Sequence, residues 1–361
     1  MFKNRLNFPL IALALLVLSC TQAQSHESNS GNLNSEAAHS EMPVWVDLFN
    51  PKALIGEPKL VDCVLSGGAK SRCVALTVPV APTTIKIGPW CPRNIADGHE
   101  NSGIWLESGK AYDVDGEFIK NLATFYDDAS WQMFDQATGD INVTDSKASC
   151  QAAARPDVDE EFQNHCVECQ LSYLDEGKSQ TYVIPVSAVA NERLEPRLGR
   201  SGVGLALSGI RLDSPAPTHA ILAAKTLAPF DDCGGHVNLH VGYHMHAVTD
   251  CLHEVESIDS EHAPMIGVAL DGYAIHTRLD KNNAEPADLD ACRGHTSSGS
   301  SYHYHVDQAG ANSIIGCHTG QTGCTLGDES ASCDASAGQR RGPPRGGRPS
   351  FQNKPLERKG D

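Results

Sequence analysis

Short apolar runs with a few polar residues among them dominate the first half of the chain. Lys59-Leu60-Val61-Asp62-Cys63-Val64-Leu65 and Cys73-Val74-Ala75-Leu76-Thr77-Val78 are of this kind and read as strands. Ser66-Gly67-Gly68-Ala69 between them is turn chemistry, so a hairpin is expected. Residues 44–48, 104–106, 110–114 and 181–186 also read as strands. Gly88-Pro89-Trp90-Cys91-Pro92 interrupts the pattern, because proline cannot donate to a sheet ladder. Phe118, Ile119, Leu122, Phe125 and Tyr126 recur at helical spacing and predict one amphipathic helix over 118–126. Residues 136–165 are polar and acidic, suited to a surface excursion. Asp157-Val158-Asp159-Glu160-Glu161 within them reads as a solvated charge run, since the Asp-x-Asp-x-Asp-Gly order of a calcium loop is missing. Short helices are expected at 220–227 and 285–292.

The second half repeats itself. Cys233, Gly235, His236, Tyr243, His244 and His246 recur as Cys292, Gly294, His295, Tyr302, His303 and His305, each pair 59 positions apart. Upstream of each copy lies a Gly-x-Ala-Leu-x-Gly run, Gly204 to Gly209 and Gly267 to Gly272. Two motifs repeating in the same order point to a tandem duplication and two related half-units. The expected fold is mainly β and disulfide-rich: the two half-units pack with an N-terminal β-rich region and a few short helices. The organisation read from the sequence is 43–201 for the N-terminal region, 202–325 for the repeated domain and 338–361 for a disordered basic tail. That tail holds seven Lys or Arg against two acids and almost nothing to bury.

The repeat carries the candidate chemistry. Twelve of the sixteen histidines lie between His219 and His318. On a strand, residues i and i+2 share a face, so His244 projects with His246 and His303 with His305. His236 and His295 each stand ten positions before the second histidine of a pair, where a hairpin would bring in a third imidazole. Three imidazoles with an open position suit zinc or copper. Asp271, Asp232 and Asp290 are candidate partners for the outer ring nitrogens, with Tyr243, Tyr302 and Tyr304 beside them. His240, His253, His276 and His318 are possible further ligands or supports. A hydrogen-bonded Tyr/His core without metal would read the same way in sequence.

These residues resemble the YHYH domain family, exported bacterial proteins named for Tyr-His-Tyr-His. The resemblance rests on Tyr302 to Val306, Asp232-Cys233-Gly234-Gly235-His236, Leu270-Asp271-Gly272-Tyr273, Ile315-Gly316-Cys317 and the run from Ile87 to Arg93. It implies export and no particular activity. The chain departs from the pattern at Met245, where the second tyrosine is expected, and at His276, where an aromatic residue is more usual.

Composition and address fit export. The net charge of −17 disfavours nucleic acid as a partner. Lys3 and Arg5 precede an apolar run too short to span a membrane, which ends in Val17-Leu18-Ser19-Cys20. That ending resembles a lipobox, so residues 1–20 read as a lipoprotein signal with Cys20 lipidated, and 21–42 as a flexible tether. The expected location is the outer membrane or periplasm, with the membrane as partner through the lipid. Without Cys20, twelve cysteines remain, an even number that reads as disulfides. The short-loop pairings expected are Cys63–Cys73, Cys233–Cys251, Cys292–Cys317 and Cys324–Cys333. Cys91, Cys150, Cys166 and Cys169 are left to pair among themselves.

Three functions are compatible with this reading: a copper- or zinc-binding module of the envelope, a metal-dependent hydrolase or oxidoreductase, and a glycan- or protein-binding module. The first accounts for the paired His-x-His strands. No Gly-x-Ser-x-Gly, His-Glu-x-x-His or phosphate loop supports the second.

Overall fold

A computed structural model describes residues 42–337, apart from 156, 193–197, 200, 256–261, 298–299 and 328–330. The expected signal, Cys20, the expected tether and the whole of the basic tail lie outside the described residues. The strands, in chain order, are β1 (Lys59–Val64), β2 (Lys70–Pro79), β3 (Ile104–Glu107), β4 (Lys110–Asp113), β5 (Ser179–Pro185), β6 (Gly204–Ala206) and β7 (Arg211–Leu212). They continue with β8 (Gly235–Asn238), β9 (Gly242–Met245), β10 (Met265–Ala269), β11 (Ala274–His276), β12 (Gly294–Ser297), β13 (Ser300–His305) and β14 (Cys324–Leu326). The helices are short: α1 (Gly116–Lys120), α2 (Leu122–Phe125), α3 (Lys147–Ala153) and α4 (Thr218–Ala223). The protein is mainly β, as its short strand-like runs predict.

Strand order exposes the repeat. One sheet runs β1-β2-β5-β14, and β3 pairs with β4. The large sheet has eight strands, β12-β13-β11-β10-β6-β7-β9-β8. Outward from the central β6–β10 pair, the order is β7, β9, β8 on one side and β11, β13, β12 on the other. Both central strands are Gly-x-Ala runs, paired antiparallel with Gly267 opposite Ala206 and Ala269 opposite Gly204. On each side the next strand pairs in parallel with the second strand of a hairpin.

The two large sheets share a core. Val74, Leu76 and Val78 on β2 and Tyr182 and Ile184 on β5 pack with Leu205, Leu207, Val268 and Leu270 of the repeat. Alternation along β2 turns those three residues inward, whereas Cys73 joins a separate cluster with Val183, Cys63 and Leu65. The N-terminal region and the repeat therefore bury one another's apolar surface. Six disulfides tie the loops: Cys63–Cys73, Cys91–Cys166, Cys150–Cys169, Cys233–Cys251, Cys292–Cys317 and Cys324–Cys333. The four short-loop pairings expected from the sequence are among them.

Some local expectations are corrected. Residues 44–48 form a 3₁₀ turn, not a strand. Val46 and Phe49 are the buried residues there, and their spacing of three matches the three residues per turn of that helix. The helix over 118–126 is split at Asn121, whose side-chain amide donates to the Glu117 carbonyl (2.9 Å) and carboxylate (2.8 Å). Such local bonds compete with the helix ladder. The helix expected at 220–227 is Thr218–Ala223, stopped by Lys225 at φ 56°. Residues 285–292 form turns, not a helix, because the Asp290 carboxylate accepts from the amides of Cys292 (2.8 Å) and Gly294 (3.0 Å). Helix α3, inside the polar excursion, is fixed by a Ser146/Ser149 capping box.

Candidate functional site

Each half of the large sheet ends in a hairpin that stacks histidines. In β8–β9, His236 lies directly opposite His244; in β12–β13, His295 lies opposite His303. Directly opposed residues on one face approach closely, and a residue two positions further along adds a third ring. The result is two triangles of similar size. Ring centres are 4.8, 5.1 and 4.8 Å apart for His236, His244 and His246. They are 4.7, 5.0 and 5.2 Å apart for His295, His303 and His305. The six histidines expected as ligands are thus gathered into two separate centres. The hairpins sit at opposite ends of the sheet. Five inter-strand steps, of about 4.8 Å each, separate β9 from β13.

Alternation sends the tyrosines to the other face. The Tyr243 hydroxyl donates to the Asp231 carboxylate at 3.0 Å, and Tyr302 to Asp290 at 2.8 Å. Both aspartates also accept backbone amides from the turn that opens the hairpin. The glycine beginning each hairpin, Gly235 or Gly294, is required by close approach: a Cβ there would run into the ring of Tyr243 or Tyr302. The Tyr304 hydroxyl donates to Asp271 at 2.6 Å, and burial pushes both Tyr243 and Tyr304 up, so they remain neutral donors. Asp271 and the three tyrosines therefore do not support the imidazoles, contrary to the expectation from the sequence. They form a buried frame behind them. Asp290 belongs to that frame too, and Asp231, not Asp232, is its counterpart.

Carbonyl oxygens hold most of the imidazoles. Nδ1 of His244 lies 3.0 Å from the Gly242 oxygen, and Nδ1 of His303 2.8 Å from that of Ser301. Nδ1 of His246 meets the Ser214 oxygen and Nδ1 of His305 the Thr277 oxygen. These contacts repeat position for position between the halves. A carbonyl only accepts, so Nδ1 carries the proton and Nε2 presents a lone pair. His295 turns its Nδ1 to the Asp288 carboxylate at 2.8 Å instead, and that contact holds Asp288 below the usual carboxylate range. Burial pushes His303 and His305 down to about 4 and His236 to about 3, and drives His244 and His246 down as well. These five rings are neutral at pH 7.

The second centre includes a candidate ligand that the sequence does not single out. His262, in the loop before β10, places its Nε2 2.9 Å from that of His303, while His305 and His295 bring theirs to 3.1 Å. The candidate ligand atoms of His262, His295, His303 and His305 all lie within 4.8 Å of one another, as do those of His236, His244 and His246. No periodicity announced His262, because the residue 63 positions earlier, its place in the other half, is Gly199. His276 flanks the set: its ring centre is 4.7 Å from that of His303, and its Nδ1 meets the Ala263 oxygen at 2.7 Å. In the first half Asp213 takes the corresponding position, in an ion pair with buried Arg211 at 2.8 Å. His318 bonds the Val203 carbonyl at 2.8 Å, outside both clusters.

Residues 181–288 match the family described as YHYH protein. The matched region is a YHYH domain. The match covers the whole of the first histidine centre but stops before His295, His303 and His305 of the second. No curated protein and no solved structure matches the chain. The family match and the six disulfides fit an exported protein. No helix among the described residues is long and apolar enough to cross a membrane.

Proposed function

We propose that this YHYH protein is a metal-binding module of the cell envelope, taking copper or zinc at two all-imidazole sites. One observation carries the reading. In the second centre the Nδ1 atoms of His262, His295, His303 and His305 all face atoms that only accept: three carbonyls and one carboxylate. Their Nε2 lone pairs then meet at 2.9 and 3.1 Å with no proton between them. Lone pairs so placed repel unless a cation lies among them. A tetrahedral site with metal–nitrogen bonds of about 2.05 Å has edges of about 3.3 Å, close to the observed spacing. Imidazole is a good ligand for zinc and copper alike.

Metal content tests the reading. Protein isolated without chelator should hold two ions per chain. The His303→Ala/His305→Ala variant, with its disulfides intact, should hold one. An unchanged stoichiometry in that variant would reject the second site. Export ends, in this proposal, in lipidation of Cys20 and attachment to the membrane; Cys20→Ala should then leave the membrane fraction, and continued membrane association would count against it. A glycan platform has little support, since Trp90, Trp105 and Trp131 are buried and unavailable for stacking.

A further inference from the structure

The two centres differ in what surrounds them. The four-histidine centre can fill a tetrahedral shell by itself. The three-histidine centre would supply three ligands, and it borders a cavity of about 260 Å³. His236, His244 and His246 form part of the cavity wall. The rest is mainly apolar: Trp90, Val167, Ala220, Ile221 and Pro229. The wall is held rigidly. Trp90 donates its indole N–H to the Gly235 carbonyl at 3.0 Å, next to His236, and the Cys91–Cys166 and Cys150–Cys169 bridges fix the neighbouring segments. Residues 90 and 167 come from the N-terminal region, which is not repeated, so this cover is particular to the first centre.

Resting on the metal reading, we infer that the three-histidine centre is a ligand-binding site, where a small organic anion with an apolar body coordinates the metal through one oxygen. Size, polarity and charge each contribute. The cavity falls below the roughly 300–1,000 Å³ typical of drug-sized ligands and above the roughly 150 Å³ that accommodates benzene. A single ring, or a short chain, bearing one donor group fits that range. Apolar walls favour a hydrocarbon body. Three neutral imidazoles leave the charge of a divalent ion unbalanced in a mainly apolar pocket, which favours an anionic fourth ligand. Glu168, also in the wall, is not that ligand. Its carboxylate is held by Arg93 at 2.7 Å and by the Cys91 amide at 3.0 Å.

The experiment uses the full chain loaded with Co²⁺, whose visible bands report a change of ligand. Benzoate and acetate are titrated separately into the wild type and into Ala220→Phe, which fills the cavity from α4. Benzoate should shift the bands and bind about tenfold more tightly than acetate, through the apolar area its ring buries. In Ala220→Phe the advantage should vanish while two Co²⁺ ions remain bound, a stoichiometry that also shows the variant is folded. Bands that ignore benzoate, equal affinities for the two acids, or an undiminished preference in Ala220→Phe would each overturn the ligand site with the metal sites standing. A chain that takes up no Co²⁺ would instead remove the metal reading and this inference with it.

Discussion

Nε2 of His262 lies 2.9 Å from Nε2 of His303, although the two residues are 41 positions apart and sit on a loop and a strand. Each turns its other ring nitrogen to a backbone carbonyl, 3.0 Å away for His262 and 2.8 Å for His303. That pairing of donors and acceptors leaves the space between the rings suited to a cation and to little else.

The outer contact of His295 gives a first prediction. Replacing Asp288 by Asn leaves the ring in place but removes the carboxylate that orients it. Changes to such supporting groups cost about 10–100-fold in metal affinity, and the exposure of Asp288 puts it at the low end. Isothermal titration should show one site weakened by about tenfold and the other unchanged. Equal weakening of both would mean that the two centres are not separate.

Acid should destabilise the metal-free protein. In the unfolded chain histidine titrates near 6.5. Folding lowers His303 and His305 to about 4 and His236 and His276 to about 3, burial being the leading cause. Between these values the unfolded state binds more protons, so the stabilisation is complete above about pH 6.5 and is lost as pH falls toward 3–4. Calorimetry of the chelated protein should give a flat Tm above pH 7 and a steady decline below pH 6. A Tm that stays level down to pH 4 would contradict the buried, neutral rings.

The Tyr304–Asp271 pair is a structural matter, separable from metal. Asp271 is fully buried, and its Oδ1 has no partner beyond the bonds Oδ2 makes to Tyr304 and Gly320. Tyr304→Met removes one of those bonds and should cost about 1–3 kcal/mol in chemical unfolding, with metal affinity unaltered. In the other half Met245 and Ser208 hold the corresponding positions. Tyr304→Met/Asp271→Ser should therefore recover part of the loss. A double variant weaker than the sum of its parts would refute that account.

Much of this was legible before any coordinates. A period of two in the repeated Tyr-His segments sorts imidazoles to one face and hydroxyls to the other, and the 59-residue spacing announces two hairpins. Met245 at the place of Tyr304 hinted that the halves differ, and the corresponding exchange of Asp271 for Ser208 gives the difference a partner. Three things were hidden. The supports of the imidazoles are mostly backbone carbonyls, such as those of Gly242 and Thr277, which leave no mark on side-chain identity. His262 reaches its site from an unrepeated loop, so no internal comparison finds it. Sequence spacing is silent on strand order, which sets β9 and β13 on opposite halves of the sheet and so keeps the two triads apart.

Anomalous diffraction from crystals grown with Zn²⁺ or Cu²⁺, recorded at the absorption edge of the metal, tests the central claim most directly. Two peaks are predicted, one within bonding distance of Nε2 on His262, His295, His303 and His305, the other among His236, His244 and His246. Strong peaks elsewhere with none at these histidines would contradict it.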